Sequence, residues 1–453
     1  MSTLTAPALV GGGVLVPLVD GGRAREVNLD FAASTPALTE VADAVAEFLP
    51  WYSSVHRGAG WKSQVATAAL EASRDQVARF VGARPDDVVV FTGNTTHSIN
   101  VLAAAVPRDC TVIGFASEHH ANLLPWRNHT LITLPVVSGE DAALAVLEDA
   151  LSGCSGPALV AVTGASNVTG EIWPIAKLAA LAHRYGARIA VDGAQLAPHV
   201  PIDIAAADVD WISISGHKLY APFGAGALVG RRDWLDAGEP LIRGGGAVRF
   251  VTEGDVAWDC APARYEAGSP NVIGIVALGT ACRVLAEYGM ERIFEHDQAL
   301  CRYAFERCAN LTGLTRYGRW PDDHPRIALI TFNLAGWKHG LLGAALSAEH
   351  GIAVRDGCFC AHPLLLELLD VPTETALRLH AQMRAGQDPE LPGAVRVSAG
   401  LSTTRADIDA VAEALAVLAA NGPRLEYLAT GHGQYVPMRD DRRPPQLRVL
   451  PAR

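Results

Sequence analysis

Between about residues 85 and 230, two kinds of segment alternate along the chain. Short apolar runs rich in β-branched residues are separated by Ala- and Leu-rich stretches with helical spacing, such as 175–185. Near-continuous apolar strands between helices are typical of a mostly parallel sheet covered on both faces. We therefore expect an α/β fold, and in such sheets ligands bind at the carboxyl ends of the strands. The predicted strands are 88–91, 111–115, 159–162, 188–191 and 211–214.

The length of 453 residues is more than one domain core needs, so we expect two packed domains. Residues 1–27 are predicted to be an N-terminal extension, and residues 28–290 a large domain. Residues 291–430 should form a smaller α+β C-terminal domain, joined to the first by a helical region from 276 to about 311. The segment 431–453 is interpreted as a polar tail, either a surface arm or disordered.

The composition favours a globular protein and excludes several classes of partner. Apolar residues make up 49% of the chain and charged residues 19%, which does not fit disorder in the bulk. The net charge of −11 argues against binding to nucleic acid or anionic membranes, and no apolar run is long enough to span a bilayer. The first positive residue, Arg23, comes after the apolar N-terminal stretch, unlike in a signal peptide. We expect a cytoplasmic protein.

The eight cysteines are scattered, and only Cys358 and Cys360 stand close together. This pattern fits neither the disulfide framework of a small secreted domain nor the paired ligands of a zinc site. We therefore expect no metal.

A lysine follows one of the predicted strands, in Ser213-Ile-Ser-Gly-His-Lys218. Burial at a strand end lowers the pKa of a lysine and makes its amine available for imine formation, although most single lysines are surface charges. Asp192 closes another strand, where its carboxylate could pair with a protonated pyridine nitrogen. An aspartate after a strand also commonly forms an Asx-turn, so Lys218 and Asp192 indicate a function only when they are taken together.

Two further polar clusters also follow strands, Thr92-Gly-Asn-Thr-Thr96 and Ser117-Glu-His-His120. Small hydroxyl residues at a helix N-terminus supply donors to a phosphate, as an ordinary N-cap also would. An imidazole can stack on a flat ring and relay a proton, although a single histidine is more often structural. The four clusters together offer an imine-forming lysine, a pyridinium partner, phosphate donors and a stacking ring. This combination indicates pyridoxal phosphate.

Six stretches, in consistent order from about Asn28 to about Ala420, resemble the class V aminotransferase superfamily. They look most like its Suf-type cysteine desulfurase and selenocysteine lyase branch. The resemblance implies a fold type I pyridoxal-phosphate-dependent transferase, similar to aspartate aminotransferase, with a mostly parallel seven-stranded sheet. It also implies a homodimer with sites at the subunit interface. The stretches are Phe31-Ala-Ala-Ser-Thr-Pro36, Ser117-Glu-His-His-Ala-Asn122, Ser166-Asn167, Val191-Asp-Gly-Ala-Gln-Leu-Ala-Pro-His199, Ser215-Gly-His-Lys-Leu-Tyr220 and Tyr265-Glu-Ala-Gly-Ser-Pro-Asn271.

The resemblance also implies the residues that hold the cofactor. Lys218 would bind pyridoxal phosphate covalently, Asp192 would face the pyridine nitrogen and His120 would stack on the ring. Gln195 would approach the phenolic oxygen. The implied phosphate ligands are Thr95, Thr96, Ser215 and His217 of the same chain, together with Ser269 of the partner subunit.

For the substrate, the resemblance implies that Asn167 and Arg396 clamp the carboxylate, a group that a guanidinium fork suits geometrically. The family pattern Arg-x-Gly-x-x-Cys-Ala here begins at Arg355 and places Cys360 in the nucleophile position. A buried structural cysteine is the alternative. The implied reaction is a cysteine desulfurase reaction, L-cysteine to L-alanine, with the sulfur passed to a Cys360 persulfide and then to a sulfur-acceptor protein.

Some features depart from the family pattern and leave the substrate open. The two residues before the predicted nucleophile, often histidines in this branch, are Cys358 and Phe359, and the stretch 363–396 is longer than usual. The alternatives are a C–S lyase acting on a cysteine conjugate, or an aminotransferase or epimerase of the same superfamily. A non-catalytic partner protein would not need the lysine, the aspartate and the phosphate donors together.

Overall fold

The computed structural model describes residues 6–309, 311–447 and 449. Its N-terminal part forms a two-stranded antiparallel hairpin, one more short strand and two helices. In chain order these elements are β1 (Leu15–Pro17), β2 (Arg23–Arg25), β3 (Val27–Asn28), α1 (Thr39–Phe48) and α2 (Trp61–Phe80).

A seven-stranded sheet with the strand order β4-β10-β9-β8-β7-β5-β6 forms the centre of the fold. Its elements are β4 (Val88–Thr92), α3 (Thr95–Ala105), β5 (Thr111–Phe115), α4 (His120–Leu123), β6 (Thr130–Leu134), α5 (Glu140–Ser152), β7 (Ala158–Thr163), α6 (Ile175–Arg184), β8 (Arg188–Asp192), β9 (Trp211–Ser215) and β10 (Gly226–Gly230). Strands β5 to β9 pair in parallel, whereas β10 is antiparallel to both β4 and β9. The predicted mostly parallel seven-stranded sheet is confirmed.

The five predicted strands all occur. They could be predicted because a buried strand leaves a nearly continuous apolar run in the sequence. The apolar pattern does not predict β6 or β10. Strand β6 lies at the edge of the sheet and is mostly not buried, and β10 begins and ends with glycine. A Cβ at Gly226 would lie 2.7 Å from the carbonyl oxygen of Ile214, so close backbone approach requires glycine there.

After the sheet come a short helix, a hairpin and two long helices. They are α7 (Asp233–Ala237), β11 (Val248–Val251), β12 (Val256–Trp258), α8 (Val272–Tyr288) and α9 (Met290–Ala309). The helical region predicted from 276 to about 311 is thus two helices, and they meet at Gly289 with a bend of 77°. Within the described residues, no single helix is long and apolar enough to cross a membrane; only the bent pair of α8 and α9 has that length and composition.

The remaining chain forms a four-stranded antiparallel sheet of order β13-β14-β17-β16 with its own apolar core. The elements are β13 (Leu314–Tyr317), β14 (Leu329–Leu334), α10 (His339–His350), β15 (Ile352–Ala353), β16 (Arg355–Gly357), α11 (His362–Leu368), α12 (Thr373–Arg384), β17 (Ala394–Ser398), α13 (Arg405–Asn421), β18 (Tyr427–Gly431) and β19 (Gln434–Pro437). The N-terminal strand β3 pairs with β15, so the N-terminal segment contributes to this second core. The domain boundaries at 28, 290 and 430 stay predictions.

The predicted polar tail starts inside a structured element. Gly431 lies in the β18–β19 hairpin, which packs on α10, and a Cβ at Gly340 would lie 2.0 Å from the carbonyl oxygen of Gly433. The exposed segment follows this hairpin, and residues 448 and 450–453 lie outside the described residues.

Candidate active site

A cavity of about 380 Å³ lies at the carboxyl ends of the central strands, where the two sheets approach each other. Residues from both parts of the chain line it. The structure brings together eleven of the predicted site residues here: Thr95, Thr96, Asn167, Asp192, Gln195, Ser215, His217, Lys218, Arg355, Cys360 and Arg396. The other two, His120 and Ser269, are not among the residues that line this cavity.

Lys218 stands on the turn that follows β9. Gly216 allows this turn, since a Cβ there would lie 2.7 Å from the carbonyl oxygen of Ala225. Burial lowers the pKa of the Lys218 amine to about 8, and the nearby Asp192 carboxylate opposes part of that change. A larger fraction of the amine is therefore neutral near pH 7 than for an ordinary lysine, as imine formation requires.

Asp192 ends β8, the neighbour of β9, and is buried. Its Oδ1 accepts a hydrogen bond from the Ala194 N–H at 3.0 Å. Burial raises the pKa of this carboxyl, and the hydrogen bond and Lys218 lower it. A buried carboxylate needs a counter-charge, which a protonated pyridine ring would provide.

Several buried polar atoms at this cavity identify the kind of ligand that fits. Within the described residues, Thr95 Oγ1, Ser215 Oγ and Gln195 Oε1 have no hydrogen-bond partner. Leaving such an atom unpaired costs about 1–3 kcal/mol, so these atoms favour a polar ligand. Thr95 also opens α3, whose N-terminal N–H groups suit a phosphate. Together with Asp192 and Lys218, these residues fit pyridoxal phosphate.

Of the two adjacent histidines, His119 lines the cavity and His120 does not. Its Nδ1 accepts a hydrogen bond from the Ala121 N–H at 3.0 Å and caps α4. Burial lowers the pKa of His119 to about 3, with a further contribution from the positive charge of Lys218, so the ring is neutral. His120 is predicted to stack on the cofactor, but in this structure His119 and not His120 lies at the cavity, and the stacking role itself stays a prediction.

His120, the first residue of α4, instead contacts the turn that carries Cys360. Its backbone N–H donates to the carbonyl oxygen of Cys360 at 2.8 Å. Its ring stacks on that of His362, with centroids 5.0 Å apart and Nε2 3.2 Å from Nδ1 of His362. Adjacent side chains at a helix start point in different directions, so the sequence does not decide which of the two histidines enters the cavity.

A buried glutamate that the sequence analysis left without a role holds the His119 segment in place. Glu118 Oε1 accepts from the Thr163 N–H at 3.0 Å, and Oε2 accepts from Asn122 Nδ2 at 2.7 Å. Burial raises the pKa of this carboxyl to about 8. The residue thus connects the end of β7 to α4.

Cys360 lies in the turn between β16 and α11 and is exposed, while Cys358 is half-buried. Phe359 and Cys360 both have positive φ angles, 53° and 55°, which non-glycine residues seldom adopt. Asn167 Nδ2 donates to the carbonyl oxygen of Phe359 at 2.7 Å. The Asn167 amide, predicted to clamp the substrate, thus holds the cysteine turn in this structure.

Two arginines face the cavity from neighbouring strands. Arg355 on β16 and Arg396 on β17 are register partners, and both pair with Asp30, at 2.9 Å and 3.3 Å. Arg396 Nη1 also donates to the carbonyl oxygen of Asn167 at 2.9 Å. Burial lowers the pKa of Arg396 to about 10, and Asp30 offsets part of that change. Asp30 could not be predicted as a site residue, because its neighbours in the chain give no sign of its contact with the two arginines.

Ser269 lies at a second cavity, of about 570 Å³, which is also lined by Tyr52, His56, Arg57 and Arg74. Its predicted contact is with the phosphate in a partner subunit. That assignment stays a prediction.

A profile of the class-V aminotransferase family matches residues 27–411. The chain belongs to this family. Pyridoxal phosphate is the cofactor of class-V aminotransferases, and the protein is a pyridoxal-phosphate enzyme with the corresponding fold. The predicted cofactor and fold class are therefore confirmed.

Relatives of this class-V enzyme include a probable cysteine desulfurase from Halalkalibacterium halodurans, 34% identical over 88% of this chain and 95% of the relative. A cysteine desulfurase from Klebsiella pneumoniae is 40% identical over 75% of this chain and 87% of its own length. Among solved structures, the cysteine desulfurase CsdA from Escherichia coli has a TM-score of 0.72 and 32% identity, covering 86% of this chain and 94% of that one. A cysteine desulfurase from Thermococcus onnurineus has a TM-score of 0.76 and 27% identity, covering 92% and 100%.

Proposed function

We propose that this enzyme is a cysteine desulfurase that converts L-cysteine to L-alanine and takes the sulfur as a persulfide on Cys360. The observation that carries the proposal is the common location of Lys218, Cys360 and Arg396 on one cavity. Relatives that cover most of the chain at 34–40% identity are named cysteine desulfurases. Membership of the Suf-type branch is part of the proposal and rests on the six stretches between Phe31 and Asn271 that resemble it.

The side chains divide the chemistry among them. Bound pyridoxal phosphate supplies the electron sink that stabilises negative charge on the substrate Cα. The Lys218 Nζ, whose pKa is lowered to about 8, accepts the Cα proton. Arg355 and Arg396 hold the substrate carboxylate. His119, neutral because burial lowers its pKa to about 3, would help to hold the ring of the cofactor.

Cys360 receives the sulfur. Its Sγ attacks as a thiolate, because the thiol is a poor nucleophile, and forms a bond to the substrate sulfur while the Cβ–S bond breaks. The hydrogen bonds from Asn167 and His120 to the two carbonyl oxygens of the turn hold Cys360 in its left-handed conformation. The exposed position of Cys360 leaves the persulfide accessible to a sulfur-acceptor protein.

The test is a product assay on the purified enzyme with L-cysteine and a reductant that removes sulfur from Cys360. Alanine and sulfide are expected in equal amounts. Cys360→Ser should lose alanine formation at least a hundredfold while keeping the visible absorbance of the cofactor, and Cys358→Ser should stay within about threefold of the unmodified enzyme. Full turnover in Cys360→Ser would exclude this nucleophile, and pyruvate in place of alanine would show a C–S lyase.

We also propose a homodimer with its sites near the subunit interface, in the cytoplasm. The support is a set of large exposed apolar side chains: Trp61 is 70% exposed, Phe250 is 68% exposed, and Tyr52, 49% exposed, lines the second cavity together with Ser269. Large exposed apolar patches mark interaction sites. A second copy covering this patch would bring Ser269 close to the site of its partner.

A further inference from the structure

Cys358 and Cys360 stand in the same closed turn of the chain. The Ala361 N–H donates to the carbonyl oxygen of Cys358 at 3.0 Å, and Phe359 and Cys360 between them have φ angles of 53° and 55°. Positive φ angles at both central positions are typical of a type I′ turn. Consecutive Cα atoms are about 3.8 Å apart, so the Cα atoms of the two cysteines lie roughly 5.5 Å apart in such a turn. Disulfides adopt Cα separations of about 4.4–6.8 Å, which include this value.

Contacts from two other segments hold this turn in place. Asn167 Nδ2 donates to the carbonyl oxygen of Phe359 at 2.7 Å, and the His120 N–H donates to that of Cys360 at 2.8 Å. Both central peptide units of the turn are therefore anchored, and the anchored backbone fixes the separation of the two cysteines.

The two thiols lie in different surroundings. Cys360 is exposed and lines the cavity, from which the substrate sulfur would come. Cys358 is half-buried, does not line the cavity, and packs against an apolar cluster that includes Leu364 and Leu365 of α11. A Cys358 thiolate would therefore approach Cys360 Sγ from the apolar side of the turn, away from the sulfur that arrives from the cavity.

We propose that Cys358 is a resolving cysteine, which releases the sulfur bound to Cys360 as sulfide when no acceptor protein takes it. The proposal rests on the proposed function, because it concerns the persulfide formed at the same site. The Cys358 thiolate attacks Cys360 Sγ, so that a bond forms between the two Sγ atoms and the bond from Cys360 Sγ to the outer sulfur breaks. The outer sulfur leaves as HS⁻ and takes up the proton that Cys358 has given up.

The electrons balance within this group of sulfur atoms. The outer sulfur gains two electrons and becomes sulfide, while the two cysteines lose two electrons and become a disulfide. A low-molecular-weight thiol then reduces that disulfide by thiol–disulfide exchange and restores both cysteines for the next turnover. The sulfur of the substrate thus leaves the enzyme without a protein acceptor.

The test is a single turnover without reductant or acceptor protein, since a reductant would remove the sulfur from Cys360 directly. The reduced holoenzyme, freed of reductant under nitrogen, is mixed with a substoichiometric amount of L-cysteine, and alanine, sulfide and protein mass are measured. The unmodified enzyme should release about one sulfide per alanine and lose two hydrogen atoms as the Cys358–Cys360 disulfide forms. In Cys358→Ser the ratio of sulfide to alanine should fall about tenfold or more, and the protein should keep one extra sulfur atom.

The matched control is Cys308→Ser, which changes a half-buried cysteine on α9, outside the turn. It should give the same ratio of sulfide to alanine as the unmodified enzyme. An equally high ratio in Cys358→Ser would overturn the proposal, because another group would then release the sulfur. An unmodified enzyme that keeps its persulfide, or that carries the extra sulfur on Cys358, would overturn it too.

A second measurement needs no turnover and separates this proposal from the proposed function. If neither the unmodified enzyme nor a variant forms alanine, the desulfurase assignment fails, and the thiol oxidant diamide still tests the cysteine pair. Diamide should join Cys358 to Cys360 in the holoenzyme and in Cys308→Ser, which mass spectrometry detects after alkylation of the remaining thiols. Absence of that disulfide would show that the two thiols do not meet, and the proposal would be wrong.

Discussion

At Lys218, burial and a neighbouring carboxylate have opposite effects on the pKa of the amine, and burial has the larger effect. The pKa is lowered from its ordinary value of 10.5 to about 8. At pH 7 the neutral fraction is therefore roughly 300 times that of an ordinary lysine, since each pH unit is a factor of ten. The fold thus prepares the amine for reaction with an aldehyde before any ligand binds.

This lowered pKa predicts how the capture of pyridoxal phosphate depends on pH. The neutral amine is the reactive form, so the rate at which cofactor-free protein captures pyridoxal phosphate should rise about tenfold per pH unit below pH 8 and level off above it. Stopped-flow absorbance from pH 6 to pH 10 measures this rate. Lys218→Ala should show no capture, while Lys177→Ala, at an exposed lysine, should behave as the unmodified protein. A rate that keeps rising to pH 10 would contradict the lowered pKa.

The adjacent residues His119 and His120 make separate contacts, and a matched pair of variants distinguishes them. His119→Asn keeps an acceptor for the helix cap but loses the ring, so the dissociation constant of pyridoxal phosphate should rise about tenfold. His120→Asn should leave cofactor binding within about twofold but change the rate of Cys360 alkylation, because the stacking with His362 is lost. Equilibrium dialysis and iodoacetamide labelling give the two readouts. The reverse pattern would return the cofactor role to His120.

At the scale of elements, the sequence predicts strands that are buried along their whole length. It does not predict strands and helix ends that depend on contacts with residues far away in the chain. The five strands 88–91 to 211–214 are visible because both faces of each are covered. The edge strand β6 and the glycine-bounded strand β10 carry no such signal. The break at Gly289 turns one predicted helical region into two helices, and only packing fixes the 77° bend.

The hairpin β18–β19 and the residues just before it contact one buried carboxylate in the second domain. Glu349 of α10 is 3% exposed; it accepts from the Arg424 backbone N–H at 3.0 Å and from the Tyr427 hydroxyl at 2.9 Å. Arg424 Nε lies 3.2 Å from the same carboxylate. Truncation after Gly422 removes both Arg424 and Tyr427, and with them all three contacts. An unpaired buried carboxylate is strongly destabilising, so the hairpin should stabilise the second domain.

We expect truncation after Gly422 to lower the free energy of unfolding by about 3 kcal/mol or more, and Tyr427→Phe to lower it by about 1 kcal/mol. Urea unfolding followed by circular dichroism measures both. Arg442→Ala, which removes an ion pair with Asp440 at the surface, should change it by less than about 0.5 kcal/mol. A truncated chain as stable as the full chain would show that Glu349 does not depend on the hairpin.

At the scale of the whole molecule, the site is assembled from residues far apart in sequence. The clusters around Thr95, Asp192 and Lys218 could be predicted, because each follows a buried strand and parallel strands end at one edge. The pairing of Arg355 with Arg396 and their shared contact with Asp30 could not, because it depends on strand register and on the return of the N-terminal segment to β17. Local pattern indicates which residues are chemically suited, and tertiary contact decides how they act together.

The dimer proposed above is a prediction about this larger scale, because Trp61, which is 70% exposed, would be covered by another copy. Trp61→Asp places a charge in that contact and should convert the dimer to a monomer, with loss of most desulfurase activity because Ser269 no longer reaches the neighbouring site. Sedimentation velocity and the alanine assay measure the two effects. Leu377→Asp, at an exposed position on α12, is the matched control and should stay dimeric. A dimeric Trp61→Asp variant would place the interface elsewhere, and a monomeric, fully active enzyme would show that the site is complete within one chain.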